Sequence, residues 1–369
     1  MNNLPNILHI STPKSWRGGE QQLAYLYEEL HKKGVCQYIL CRKNGEMAIK
    51  GKKKGWNIFE CRKTSAIDPL FAKRIKSICK EKKIDLIHAH DSHAHSFALI
   101  AASLFGNVTP IVVSRRVDFK INRSSIKKYN HKKIKKIICV SNAIKEVLYP
   151  DIGDKSILTT VHSGIDLNKF SFNQNNNQKL RKEYQIPSNV KIIGNVAAIA
   201  PHKDYYTFIN TAEEIVKRNL NVKFFIIGTG PLEEKIKQYC IQKKLSNHII
   251  FTGFRTDIQE ILPELDIFLM TSETEGLGTS IIDAFACQLP VVATRAGGIP
   301  EIVQHEKNGL LADIKDANEL ANQIERILNG SIDLDKIINE QQKTLQKFTK
   351  SVTAHKTLLE YLAITKEKS

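Results

Sequence analysis

The chain has 369 residues, enough for two ordinary domains, and its 42% apolar and 25% charged content is that of a soluble globular protein. It contains no run of about 18 apolar residues, the length a membrane span needs. Seven scattered cysteines without a CxxC pair point to reduced, mostly buried thiols, and a net charge of +17 calls for anionic partners.

The first stretch, MNNLPNILHIS, has neither a basic region nor a cleavage site, which predicts a cytoplasmic protein. Residues 6–12 read as an apolar strand and 20–33 as an amphipathic helix. Between them, Gly18 and Gly19 form a turn where a backbone can approach a phosphate. Strand patterns recur at 35–41, 56–59, 85–90, 110–114, 136–141 and 156–161, with helical patterns at 69–82 and 96–105 between them. Such alternation predicts a doubly wound parallel sheet. The run HAHDSHAH (88–95) looks like a metal cluster, yet Asp91 stands two places before His93, out of register with metallo-β-lactamase-like hydrolases, and no later His or Cys cluster completes a shell. It reads as a loop at a strand's carboxyl end, with His90 a candidate site residue. Arg115 and Arg116 end the next strand, where two guanidinium groups suit a phosphate or carboxylate. The acid-free block KINRSSIKKYNHKKIKK (120–136) fits either a solvated helical face or a patch for anionic lipid headgroups. It lacks the interleaved aromatics of a nucleic-acid surface.

The polar SFNQNNNQ near 171–178 suits an interdomain hinge. A second alternating series opens with 191–209, a buried strand running into a loop that carries His202 and Lys203. Residues 222–234 form a strand, a Gly-x-Gly turn ending in Gly230, and a helix opened by Pro231. Phe254 and Arg255 follow the run at 249–253. The stretch DIFLMTSETEGLGTSIIDAFACQLPVVAT (266–294) reads as strand, acidic loop, helix, strand. It sets Glu275, Gly276, Leu277, Gly278 and Thr279 at a strand's carboxyl end, where open α/β sheets bind ligands, with Asp283 inside the helix. Residues 316–328 show one apolar helical face, and a last helix is expected at 350–365.

These features together resemble the retaining glycosyltransferases of family four, of the GT-B type. That family carries Glu, seven residues, then Glu, with Gly-aromatic-Gly after the first acid and CG(L)PVVAT after the second. Here the second acid is Asp283, the aromatic is Leu277, and Cys-Gly is Cys287–Gln288. VSNAIKE (140–146), VHSGIDLNKF (161–170) and AGGIPEIV (296–303) match further segments of the pattern. The resemblance implies an α/β fold of two Rossmann-like doubly wound domains facing a cleft. An acceptor-side domain would span 1–168 and a nucleotide-sugar domain 169–349, with 350–369 crossing back to the first.

The resemblance also implies roles. Glu275, Arg115, Arg116 and His90 are the catalytic candidates. Gly18, Gly19, Lys203, Gly230, Phe254, Arg255, Gly276, Leu277, Gly278, Thr279 and Asp283 are the donor-binding ones, with Asp283 on the ribose and Phe254 and Arg255 beside the base. The family's diphosphate-binding Arg falls on Ala198, so Arg115, Arg116 or His202 must replace it. No metal or other cofactor is expected. The expected partners are a nucleotide-sugar donor, a glycan or lipid-linked acceptor of bacterial surface polysaccharide such as lipopolysaccharide, and an anionic membrane surface met through 120–136. Nucleic acid is not expected as a partner. Two other readings stay open: a metal-dependent hydrolase built on 88–95, and a basic nucleic-acid-binding protein.

Overall fold

The computed structural model describes residues 4–65, 67–170 and 178–366. The chain divides into two compact units, Met1–Gly164 with Lys350–Ser369, and Ile165–Thr349. The division falls ahead of the expected boundary at 168 because Ile165 bridges to Thr349 and its N–H donates to the Phe348 carbonyl, which ties it to the second unit. The hinge expected at 171–178 lies, but for Gln178, outside the described residues.

The first unit is a seven-stranded sheet in the order β3-β2-β1-β4-β5-β6-β7. Its strands are β1 (Ile7–Ser11), β2 (Gln37–Arg42), β3 (Ile58–Cys61), β4 (Leu86–Ala89), β5 (Ile111–Arg115), β6 (Ile134–Cys139) and β7 (Leu158–Thr160), paired in parallel. β1 and β4, at the centre of the sheet, are buried along their whole length, as strands covered by helices on both faces must be. The closing helix Lys350–Lys366 packs on this unit. Ala354, Leu358, Tyr361 and Ile364 lie on one helical face and are buried with Ile7, Leu26, Leu86 and Val112. Leu358 and Ile364 each contribute about 1.5–3 kcal/mol of burial, which helps hold the returning segment.

The second unit is a six-stranded parallel sheet in the order β10-β9-β8-β11-β12-β13. Its strands are β8 (Lys191–Val196), β9 (Val222–Ile227), β10 (Ile249–Gly253), β11 (Ile267–Met270), β12 (Val291–Thr294) and β13 (Leu310–Ala312). Both sheets are Rossmann-like, and in each the strand order reverses once, between β1 and β4 and between β8 and β11. Loops at the carboxyl ends beside such a reversal diverge and leave a crevice, the usual ligand site of this architecture.

Local chemistry shifts several expected boundaries. The helix expected at 96–105 runs Ser92–Leu104, because Asp91 caps it by accepting from the N–H groups of His93 and Ala94. The HAHDSHAH run is therefore strand end, cap and first helical turn. The 156–161 strand shortens to β7 because Asp154 caps a tight turn at Lys155–Ile157. Five of the seven cysteines are buried and none is in a disulfide.

Candidate active site

In the second unit, loops after β8, β11 and β12 are stitched together by backbone groups. Glu273 N–H donates to the His202 carbonyl at 2.9 Å, and the Thr271 hydroxyl donates to the carbonyls of Lys203 and Asp204 at 3.2 and 3.0 Å. The Thr294 hydroxyl donates to Ser272 O at 2.6 Å, and Gly298 N–H donates to Glu275 O at 2.9 Å. This lattice fixes the Glu275 carboxylate beside the Lys203 ammonium, and the two form an ion pair with side chains only 14% and 13% exposed. Thus Lys203, 72 residues upstream in sequence, and Glu275 meet at the β8–β11 reversal.

Gly278 sits at φ +89 and opens the helix Thr279–Ala286. That left-handed conformation is nearly free for glycine and costly for residues with a Cβ. The helix's first N–H groups, Thr279 among them, are open to an anion. Leu277 turns its side chain into the core at 3% exposure, so only its backbone can serve a ligand. Gly230 is required by packing: a Cβ there would stand 2.3 Å from the Ile199 carbonyl oxygen.

Asp283 is partly enclosed in the same helix, and burial pushes its carboxyl up to about 7, with Lys169 opposing the rise. Its ordinary value is 3.8, so the folded state holds its proton more tightly than the unfolded chain. Stability from this group is therefore greatest below about pH 4 and declines as pH rises to about 7. Each pKa unit is worth about 1.4 kcal/mol. Asp283→Asn is expected to be more stable than wild type at pH 8, by on the order of 2–4 kcal/mol, and equal to it near pH 4. Urea unfolding at both pH values checks this.

The structure ties Arg255 into ion pairs and leaves Phe254 exposed. Arg255 donates to Glu183 at 2.7 and 2.9 Å and to both Asp257 oxygens at 2.8 Å. Asp257 chiefly, then Glu183, raises the guanidinium further, so it is an ion-pair clamp and not a free side chain beside a base. Phe254 is 74% exposed, which excludes a core role. Ala198, where the family's arginine is expected, is exposed at the end of β8.

In the first unit, Gly18 and Gly19 form the first turn of helix Gly18–Lys32, where Glu20 closes a capping box by accepting from Arg17 N–H at 3.0 Å. The loops at the β1–β4 reversal are joined by Asp91, which accepts from Thr12 N–H at 2.7 Å and the Thr12 hydroxyl at 2.8 Å. The two arginines part company. Arg115 is buried; it donates to the Phe119 carbonyl and, at 3.4 Å, to the Tyr129 hydroxyl, and stacks over the Phe119 ring at 4.9 Å. Arg116 lies against Gly19, and its Nε is buried without a partner among the described residues. Burial holds its guanidinium down at about 10, against the pull of Glu20 and Tyr361. It lines a cavity of about 20 Å³ with Gln22, His88, Ser114, Ser163, Thr353 and Thr357, room for one water.

The metal-hydrolase reading of 88–95 fails on placement. Asp91 is spent on the cap and on Thr12, His93 is exposed, and His95 is buried against the Tyr129 ring at 4.8 Å. The imidazoles that do meet are His9, His88 and His90, with nitrogens within 4.8 Å of one another. His9 bonds Gln37 and His90, and His88 bonds Tyr361 and Ser114 at 2.8 Å, so a metal would have to displace these contacts. Sequence reasoning missed His9, Gln37 and Tyr361. The one available signal for His9 was a polar residue at the centre of the apolar run ILHIS.

The basic block also divides. Lys128 donates to Ser92 O at 2.6 Å and Ser96 Oγ at 3.0 Å, and burial lowers it to about 8. Lys133 donates to Val108 O at 3.2 Å and Lys136 pairs with Glu360 at 3.4 Å. Lys120, Lys127, Lys132 and Lys135 remain exposed.

Comparisons with known proteins agree with this geometry. The model for glycosyl transferases group 1 matches residues 176–344 and that for glycosyltransferase family 4 matches 16–169. A glycosyltransferase from Rickettsia africae ESF-5 superposes with a TM-score of 0.86 at 22% identity, covering 99% of each chain. The Anabaena HepE protein, solved with UDP and glucose, gives 0.85 at 22% identity, covering 97% of this chain and 99% of that one. A sequence relative is the Escherichia coli UDP-Gal:alpha-D-GlcNAc-diphosphoundecaprenol alpha-1,3-galactosyltransferase, 26% identical over 280 residues, 72% of this chain and 70% of that protein. The two Rossmann-like units have the fold of these GT-B neighbours. The chain belongs to the group 1 glycosyl transferases of family 4 and is a glycosyltransferase.

Proposed function

We propose that the enzyme moves a sugar from a nucleotide-sugar donor to a glycan or lipid-linked acceptor, with retention of anomeric configuration, in the synthesis of a bacterial surface polysaccharide such as lipopolysaccharide. The observation that carries this is the Lys203–Glu275 pair beside the open first turn of helix Thr279–Ala286. A diphosphate leaving group needs a cation and N–H dipoles fixed before the reaction, and this corner offers both. Once the diphosphate engages Lys203, the Glu275 carboxylate is left facing the positive charge that develops on the sugar. Asp283 holds the ribose, and its carboxyl near 7 implies that donor affinity rises between pH 6 and 8 as the acceptor form fills. Support for a lipid-linked acceptor comes from the E. coli relative, named for a diphosphoundecaprenol substrate. No divalent metal takes part in this reading.

Screening nucleotide sugars for thermal stabilisation and for slow hydrolysis tests it. One donor is expected to raise Tm and release its nucleoside diphosphate. A panel of UDP- and GDP-sugars that neither binds nor turns over would reject the reading.

The same proposal seats the protein on an anionic membrane through 120–136, and among the described residues no helix is long and apolar enough to cross one. Each exposed basic residue near such a surface adds about 1 kcal/mol. Replacing Lys127, Lys132 and Lys135 by Glu is expected to release the protein from phosphatidylserine liposomes at low salt, while Lys128→Glu chiefly lowers Tm. Sedimentation separates the two, and undiminished binding by the triple variant counts against the patch.

A further inference from the structure

The imidazoles of His9, at the centre of β1, and of His88 and His90, at the carboxyl end of β4, are buried together. Their hydrogen bonds read in one direction only. Gln37 Nε2 donates to the Tyr27 carbonyl at 3.0 Å, which turns the amide oxygen toward His9 Nε2 at 3.1 Å. An amide oxygen only accepts, so His9 carries its proton on Nε2. Burial lowers His9 to about 4, so the ring is neutral near pH 7 and its Nδ1 is a bare acceptor. The partner of that Nδ1 is His90 Nε2 at 3.0 Å, which is therefore the donor. His90 is held neutral by burial and by His88, His9 and Arg116 around it. Its remaining nitrogen, Nδ1, thus has a free lone pair, and it is buried with no partner among the described residues.

An unmet buried acceptor is rare in native proteins and calls for an explanation. We infer that Gln37 and His9 are positioning residues that lock His90 in its Nε2–H tautomer, so that His90 Nδ1 accepts a hydroxyl of the sugar substrate. This rests on the glycosyltransferase reading above. The chemistry of the pair selects the ligand group. Phosphate and carboxylate oxygens bring no proton, and an ammonium would be repelled by Arg116. A hydroxyl donates to Nδ1 and still accepts from a guanidinium such as Arg116, whose own Nε–H is unmet. As a whole residue His90 is 6% exposed while its Nδ1 is buried, so docking requires a side-chain adjustment of the kind that commonly accompanies binding. An ordered water has the same chemistry, so the test must separate water from sugar.

The test compares wild type with His9→Asn, His9→Leu and Gln37→Met, each labelled with 15N at histidine. NMR correlation spectra read which His90 nitrogen bears the proton, turnover is measured with UDP-glucose, UDP-galactose, UDP-GlcNAc and GDP-mannose, and Tm controls for stability. Wild type is expected to show Nε2–H. His9→Asn presents an amide oxygen near the place of Nδ1 and should keep that tautomer, whereas His9→Leu and Gln37→Met let the Nδ1–H form appear. Turnover should follow the bare-Nδ1 population, about tenfold lower in His9→Leu than in His9→Asn, although both lose the bond to Gln37 and fall similarly in Tm. A wild-type His90 protonated on Nδ1 overturns the inference. So does turnover indifferent to tautomer, the result expected if only water sits there. Absence of turnover by wild type with every sugar counts against the glycosyltransferase reading instead, and the tautomer spectra then decide the lock by themselves.

Discussion

Glu275→Gln is expected to lower glycosyl transfer by about 100- to 1000-fold while leaving the fold intact, the size of effect seen when a preorganised charge or dipole is removed from a transition state. Glutamine has the same length, so its amide oxygen can still accept from Lys203, and the Gly298 N–H contact involves only backbone. The stability cost should therefore be on the order of 1 kcal/mol. What disappears is the negative charge beside Lys203. Donor affinity should change little or improve, because Lys203 is released for the diphosphate, and the loss should fall on kcat. Glu275→Asp draws the charge back by roughly 1.5 Å, one carbon, and should rescue little. Steady-state kinetics with thermal unfolding decide the matter. A loss below about tenfold, or roughly 1.4 kcal/mol, would remove Glu275 from its assigned place.

Glu275 has a place at the sheet edge that is legible in the sequence. It stands in a strand–loop–helix unit whose apolar run, paired glycines and helical face are all local, so position in the chain fixes position at the sheet edge. The same holds for Gly278, Asp283 and Lys203, and for the alternation that betrays both sheets. What was not legible depends on distant pairings. Arg255 looked free until folding brought Glu183 to it. His9 and His90 are far apart in sequence and meet only because β1 and β4 pair across the strand reversal, with His9 opposite His88. Tyr361 reaches His88 from a helix that closes the first unit at the other end of the chain. Likewise, an acid-free lysine run does not reveal that Lys128 is bonded to two serines of a neighbouring helix. Short-range pattern gives the elements and the loop residues. Which polar groups satisfy one another is a property of the packed sheet.

Arg116→Ala is expected to cost about 10- to 100-fold in turnover, and Arg115→Ala to cost stability instead. The departing nucleoside diphosphate carries at least two negative charges, and the exposed Ala198 leaves Lys203 without the arginine that its relatives' pattern supplies. A charge-assisted contact is worth roughly 1.5–3 kcal/mol, so an active enzyme needs a second cation. Arg115 is spent: its guanidinium holds the Phe119 carbonyl, the Tyr129 hydroxyl and two aromatic rings. Removing it should uncover buried acceptors and lower Tm by several degrees with kcat largely kept. Arg115 and Arg116 each have a buried Nε with nothing to bond among the described residues, and Arg116, even at about 10, stays charged at neutral pH. His202, on the loop that carries Lys203, is the competitor. The predicted pattern is a kcat loss in Arg116→Ala that Arg116→Lys restores only in part, since a point charge cannot reproduce the fork of a guanidinium. Ala198→Arg in the Arg116→Ala background should recover part of the lost rate by returning a cation to the end of β8. Full turnover in Arg116→Ala, with a loss in His202→Ala, would transfer the role to the histidine.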